Sequence, residues 1–429
     1  VRRVLRPRTW VLVLAAVFAL LQLANVNGRD TPDTKNYLSY ALDLRGDEKR
    51  EAAAATIDYV CEGRADIAHR RQNVNVARFH APSPDQRVTE ECQAELWREV
   101  DRRLRAGETS GHTGPFASER FRRIFEARPG YPALLMPFVA AFGVTWGIWL
   151  SSVLVAGAGG VLAFLILRTL SAPPAVALTG QALFYVLPCG TTAMRPMSEG
   201  LLLALTLVAL WGCALAVGGR VRAGGALVGG ALVLLFTVKH SQALFLGLCL
   251  AVACAVAAVR RKRPGRAAPR VIGVVAAVAA LATVLVAELL HYPSTTESLQ
   301  DLLTEHYTRP DRARPWPEFW QLEGNFWVEW LRRQSRQPLF VAALAAGAWG
   351  VLRQRPAFAG FLLAAAFSGV LNQAGHPDPH IGDRLLVLAW LLPVVGLPLL
   401  LEPVIGARGP AADVRLPGPL WEGTHATRG

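Results

Sequence analysis

Residues 224–259 read GGALVGGALVLLFTVKHSQALFLGLCLAVACAVAAV, and Arg260-Arg261-Lys262-Arg263 follow directly. Two apolar runs, 224–238 and 241–259, are interrupted only by Lys239-His240. A helix that crosses a bilayer needs ~20 mostly apolar residues, and each run approaches that length without an internal charge. Leu, Ala and Val in runs of this length favour helices over buried strands. The passage predicts two spanning helices joined by a tight turn at Lys239-His240. The basic run then anchors the far end.

Outward in both directions the pattern repeats, at 10–24, 146–167, 173–188, 198–217, 271–290, 338–352, 356–371 and 385–401. The expected fold is an all-α polytopic membrane protein of about ten transmembrane helices with two extracytoplasmic loops. Composition agrees: of 429 residues 52% are apolar and 18% charged, thin polar cover for a soluble chain. Mean hydropathy is +0.29. An ordinary soluble enzyme, a disordered chain and a collagen-like chain are excluded. Six cysteines are too sparse for a disulfide scaffold, and none has the paired CxxC spacing of a zinc site.

The net charge of +13 raises the question of nucleic acid, and topology answers it. With the N-terminus cytoplasmic, the inner segments are 1–9, 168–172, 218–223, 260–270, 353–355 and 402–429. They hold 18 Lys and Arg against Glu402, Asp413 and Glu422, whereas the rest of the chain carries 27 basic and 29 acidic residues. Cytoplasmic loops favour Lys and Arg, so the positive excess reflects orientation and no nucleic-acid partner is expected. The protein is expected in the cell membrane, multi-pass, with both termini cytoplasmic. Arg2, Arg3, Arg6 and Arg8 before Trp10–Ala24 also suit a signal peptide, but no clean small-x-small site follows. The segment is read as an anchor, and either way the next residues lie outside.

The chain then divides into 1–24 (cytoplasmic segment and first span), 25–130 (large outer loop) and 131–290 (spans two to seven). Residues 291–337 form a second outer loop, 338–401 spans eight to ten, and 402–429 a cytoplasmic tail. Trp316, Phe319, Trp320, Phe326, Trp327 and Trp330 crowd the second loop. Such rings favour the headgroup layer, so this stretch is expected to lie flat on the membrane, with substrate stacking as the alternative. Cys61 and Cys92 share the first loop, where an oxidising compartment allows a disulfide; two free thiols are the alternative. Cys189, Cys213, Cys249 and Cys254 read as small apolar residues of the spans.

Five polar groups collect at the outer ends of the spans, where ionisable residues are costly without a role. The first is Asp30-Thr31-Pro32-Asp33, with Thr31 as an expected N-cap, Pro32 as first helical residue and Gly46 as the stop. Tyr37, Tyr40, Ala41 and Leu44 then share one face, predicting an amphipathic helix on the membrane with Asp33 in its first turn. The bland reading of Asp33 is a carboxylate favoured by the helix dipole. The others are Arg128-Pro129-Gly130-Tyr131-Pro132, Arg195 to Glu199 (whose bland reading is an i,i+4 ion pair), Lys239-His240, and His376 to Arg384. His376, Asp378 and His380 alternate, as a divalent metal site would permit; no cofactor is otherwise called for. The chain has no Walker loop, GxGxxG turn, GxSxG or HExxH.

Asp33, Tyr37 and Ala41 at four-residue steps, with Arg128, Tyr131 and Pro132 before the second span, resemble the GT-C superfamily of integral-membrane glycosyltransferases, mannosyltransferase-like members included. Pro196 and Glu199 at the fourth span, the Lys239 turn and Arg384 opening the last span fall where such enzymes carry similar residues. The resemblance implies a polyprenyl-phosphate sugar as donor, an unidentified extracytoplasmic acceptor and a role in building the cell envelope. It also implies catalysis by Asp33 or Asp30, and substrate binding by Arg128, Tyr131, Arg195, Glu199, Lys239, His240, His380 and Arg384. The chain departs from the pattern in lacking a tight Asp-x-Asp, and no soluble C-terminal domain is expected after the last span, so acceptor recognition would fall to the outer loops. The rival readings are a transporter or flippase of a lipid-linked or small polar substrate, and a non-catalytic membrane scaffold. A transporter would be expected to carry its polar residues near the bilayer midplane.

Overall fold

The structure is a computed structural model that describes residues 7–260, 267–378 and 382–406. Residues 261–263 of the basic run, His380 and the tail beyond 406 lie outside the described residues. The chain begins with α1 (Pro7–Gln22) and a 3-10 turn, then α2 (Thr34–Arg45), α3 (Lys49–Asn73), α4 (Asp85–Arg105) and α5 (Glu119–Glu126). The bundle continues through α6 (Gly130–Thr169), α7 (Pro174–Val186), α8 (Pro188–Ala193), α9 (Ser198–Val217), α10 (Val221–Arg260) and α11 (Ala267–Leu289). A second polar excursion, α12 (Thr295–Leu303) and α13 (Pro315–Arg336), leads to α14 (Leu339–Gln354), α15 (Pro356–Ala374), α16 (Gly382–Leu385) and α17 (Leu391–Gly406). No strand occurs among the described residues.

Seven of the described helices are long and apolar enough to cross a membrane, by length and composition; α7 and α14 are apolar but shorter. Large apolar side chains stay exposed around the bundle, including Leu20 and Leu21 of α1, Val233 and Val252 of α10, and Val278 and Leu281 of α11. A water-soluble protein does not leave so much contiguous apolar surface uncovered. The protein is an all-helical polytopic membrane protein.

Two of the long helices reverse direction. In α10 the backbone leaves the helical region at Lys239 (φ −163°, ψ 95°). Gly225 and Gly229 face Val271 and Val275 of α11, while Gly247 faces Ala276 and Ala280, and Cys254 faces Gly273. The first half of α10 therefore runs parallel to α11 and the second half antiparallel to it. Lys239 is the tip of a helical hairpin, as the sequence predicts. In α6 the break is at Gly143, whose φ of +74° suits glycine. A Cβ on Gly147 would stand 2.7 Å from Val139 Cα, although eight residues of one straight helix span ~12 Å. The chain folds back here too, and only glycine permits the approach.

The segment between α1 and α6 forms a helical lid, with Tyr37, Leu38, Ile57, Tyr59, Phe116, Phe125 and Leu135 in a core separate from that of the bundle. Cys61 and Cys92 are bridged, with a Cα–Cα distance of 5.5 Å, joining α3 to α4. Non-reducing peptide mapping should recover this link. Cys92→Ser should destabilise the lid by about 2–4 kcal/mol, read as faster amide exchange in α3 and α4. Cys189, Cys213 and Cys254 are buried and unbridged, as expected of small apolar residues.

Two expectations for α2 need correction. The helix starts at Thr34, not at Pro32, because Thr31 and Thr34 close the turn between them: Thr34 N donates to Thr31 O (2.9 Å), and Thr31 N donates to Thr34 Oγ1 (2.7 Å). Asp33 thus precedes the first turn and makes no side-chain cap. Nor does α2 lie on the surface. Tyr37, Tyr40 and Ala41 are buried, and so are Asn36 and Ser39 on other faces, because the lid and α6 close over it. Only Leu44 of the predicted apolar stripe is exposed.

In the second excursion α13 buries Phe319 and Phe326 and leaves Trp316 and Trp320 exposed. The lid and this excursion clasp each other through Arg120 of α5. It reaches Glu297 (Nε–Oε2 2.7 Å) and Asp311 (Nη1–Oδ1 2.7 Å) and lies over the Tyr307 ring.

Candidate functional site

The end of α1, the start of α9, the tip of α10 and the segment before α17 meet under the lid at one end of the bundle. They line a cavity of about 820 Å³. Asp33, Asp30, Arg128, Arg195, Glu199, Lys239 and Arg384 all contribute to its wall.

Asp33 and Arg384 are its centre. Arg384 Nη2 bonds Asp33 Oδ2 at 2.8 Å, while its Nε lies 3.7 Å from Glu199 Oε1. Burial pulls the guanidinium pKa down, but Glu199 and Asp33 together hold it above its ordinary value. The i,i+4 pair expected between Arg195 and Glu199 does not form, because α9 begins only at Ser198 and Arg195 sits in the preceding turn. Glu199 is instead fixed from α2: Tyr37 OH donates to Ser198 Oγ (3.2 Å), and Ser198 Oγ donates to Glu199 Oε2 (3.3 Å). Thr34 Oγ1 donates to Pro196 O (3.2 Å). These bonds hold the start of α2, and with it Asp33, against the start of α9.

Lys239 is only 6% exposed and has neither hydrogen bond nor ion pair to any described residue. The hairpin at 239 turns its side chain out of the helix into the cavity. Arg128 lines the same wall, and its Nε is buried without a partner. A Cβ on Gly130 would lie 2.5 Å from Thr237 Oγ1, so this glycine lets the segment carrying Arg128 press against the Lys239 tip. Glu199 and Asp33 are the opposing charges nearest Lys239, but neither is within ion-pair distance of it. Lys239 and Arg128 thus present two cations to the cavity with no direct ion pair among the described residues.

Asp30 also lines the cavity, but in a different setting. It sits next to Gly63 and the Tyr59–Arg29 pair, where burial raises its pKa against the opposing charge of Arg64. Two expected binding residues are not on the wall. Tyr131 is buried beneath it, with its ring against Tyr37 at 5.3 Å. His240 is off the wall as well, its ring packed against Phe236 and Tyr292.

The cavity also holds groups that the sequence did not single out. Arg29 and Asp301 are on the wall, and so is His306, held by Asp301 (Nδ1–Oδ1 3.0 Å). No spacing signal marks this pair, since it reaches the cavity only through the fold of the second excursion. His376 and Asp378 line the wall as well. Burial, reinforced by Lys239, Arg128, Arg384 and His306, drives the His376 pKa down to about 3, so its ring is neutral. Among the described residues no three His, Cys, Asp or Glu side chains are grouped to hold a metal ion.

No family model matches the chain, and neither the curated proteins nor the solved structures compared with it give a match.

Proposed function

We propose that the protein is an integral-membrane glycosyltransferase of the GT-C kind, moving a sugar from a polyprenyl-phosphate donor to an extracytoplasmic acceptor hydroxyl. The observation that carries this reading is the meeting of a buried, unpaired lysine and a carboxylate in one cavity at the membrane end of the bundle. Lys239 and Arg128 suit the donor phosphate, whose charge grows as the glycosidic bond breaks. Asp33 Oδ2 is engaged by Arg384, which leaves Oδ1 as the general base for the acceptor hydroxyl. The hydroxyl oxygen attacks the anomeric carbon with inversion, its proton passes to Asp33, and the bonding electrons leave on the phosphate oxygen.

The transporter reading loses ground on the placement of polar groups. The buried glutamines inside the bundle are spent on helix contacts, Gln181 donating to Val11 O (2.9 Å) and Gln242 to Ser368 Oγ (2.9 Å). The charges collect at the ends. At the end away from the cavity, Arg355 is tied to Leu170 O (2.7 Å) and Glu402 (2.8 Å).

In this reading the α10 hairpin and the shorter α7 and α14 complete ten crossings of the cell membrane, with both termini cytoplasmic and α13 on the outer headgroup layer. Reporter fusions at residues 110, 265, 315 and 410 should read out, in, out, in. A cytoplasmic signal at 110 or 315 overturns the arrangement. The activity is tested by incubating purified protein with polyprenyl-phosphate mannose, glucose and galactose and measuring released polyprenyl phosphate. Release from one of them, stimulated by an acceptor, supports the reading; no release from any of them counts against it.

A further inference from the structure

The second excursion delivers an imidazole and a carboxylate to the cavity wall beside the lid. Glu305, His306 and Tyr307 are three consecutive non-glycine residues in the left-handed region, at φ 53°, 60° and 61°. Each such residue costs of order 1–3 kcal/mol and persists only where its surroundings enforce it, commonly at functional sites. The enforcement is visible here. His306 N donates to Asp301 O (2.9 Å), Tyr307 N to Thr304 Oγ1 (3.0 Å) and Tyr307 OH to Glu297 O (2.9 Å), and Arg120 caps the Tyr307 ring. The turn thereby projects His306 into the cavity.

The two ring nitrogens are in different positions. Nδ1 is committed to Asp301, whose side chain is 9% exposed. Nε2, on the opposite edge, has no partner among the described residues, and the ring leans on Phe121 at 4.4 Å. The charged and titratable groups around it are Asp301, Asp33, Lys35 and His376, with Glu305 and Arg309 paired to each other at 2.9 Å on its own turn. The hydrogen bond to Asp301 outweighs burial and raises the His306 pKa. The imidazolium therefore persists to higher pH than a free histidine.

We infer that His306, positioned by Asp301, is the general acid that protonates the departing phosphate. The inference rests on the glycosyltransferase reading and adds a second proton carrier to it. In the transfer step the acceptor O–H bond breaks and its proton goes to Asp33. The bond from acceptor oxygen to anomeric carbon forms as the bond to phosphate oxygen breaks, and His306 Nε2–H gives its proton to that oxygen. The products are the glycosylated acceptor and a singly protonated polyprenyl phosphate. Passage of the proton from Asp33 to His306 then restores both groups.

The sign follows from the raised pKa. A required acid is fully present below its pKa and lost as pH rises through it, so kcat for wild-type protein should fall on the alkaline side. The test measures kcat and KM against pH for wild type, His306→Gln and Asp301→Asn, using polyprenyl-phosphate mannose, glucose and galactose with release of polyprenyl phosphate as the readout. His306→Gln should lose about 10-fold in kcat at neutral pH and abolish the alkaline fall, with KM little changed. That loss is below the usual range for a general acid because phosphate is already a fair leaving group. Asp301→Asn should keep an alkaline fall but move it to lower pH. A loss uniform across pH in both variants would make the pair structural and overturn the inference, leaving the transferase reading intact. An unchanged alkaline limb in His306→Gln overturns it as well. No release by wild-type protein at any pH removes both readings together.

Discussion

Asp33→Asn is expected to lower sugar transfer at least ~10²-fold, the lower range for loss of a general base, while donor binding survives. The substitution keeps an oxygen that can accept from Arg384, and Glu199 remains 3.7 Å from the guanidinium, so the clamp keeps a charged partner. Because Asp33 makes no side-chain cap to α2, a helix-dipole role would cost only ~0.3–1 kcal/mol of stability and leave turnover nearly intact. The two roles are therefore separable by measuring transfer and thermal stability on the same preparation. Asp30→Asn should have a milder effect, since Asp30 lies against Tyr59 and Gly63 and is not in the Arg384 clamp. Full activity in Asp33→Asn with an inactive Asp30→Asn would move the base to Asp30. If both variants remain active, the displacement mechanism proposed for this cavity is wrong.

Lys239→Met should weaken binding of polyprenyl phosphate by about 10²-fold, in keeping with ~1.5–3 kcal/mol for a hydrogen bond to a charged group. The direction for stability is opposite. The lysine is buried with no carboxylate within ion-pair distance among the described residues, so an apolar side chain of similar length should leave the melting temperature unchanged or raise it. Competition binding with polyprenyl phosphate and a melting curve on the same variant decide the matter. A variant that melts earlier and binds normally would show that Lys239 serves the hairpin and not the phosphate. His240→Ala is the useful contrast: its ring packs on Phe236 and Tyr292 outside the cavity, so it should affect stability more than binding.

Hydrophobic run length and the placement of cations are local properties, and they made much of this molecule legible without a structure. The bilayer imposes its thickness on any chain that crosses it, so 224–238 and 241–259 could be read as two helices and Lys239 as the turn between them. Seven cavity positions, Asp30, Asp33, Arg128, Arg195, Glu199, Lys239 and Arg384, were legible for a related reason: a charge at the end of an apolar run has few places to go except the interface. Facing direction was decided by tertiary structure. Nothing local distinguishes Lys239 from His240, yet Lys239 lines the cavity and the His240 ring packs against Phe236 and Tyr292. Thr31 looked like a cap until the Thr31–Thr34 turn moved the start of α2 by two residues. Asp301 and His306 carry no signal at all, since the left-handed turn that presents them is enforced by Thr304, Glu297 and Arg120, the last of them far away in sequence. Sequence set which segments enter the membrane and where their charged ends lie, because burial in lipid acts on each segment separately. Which side chains face one another depended on contacts between segments, and those exist only once the lid, the hairpins and the second excursion have closed around the cavity.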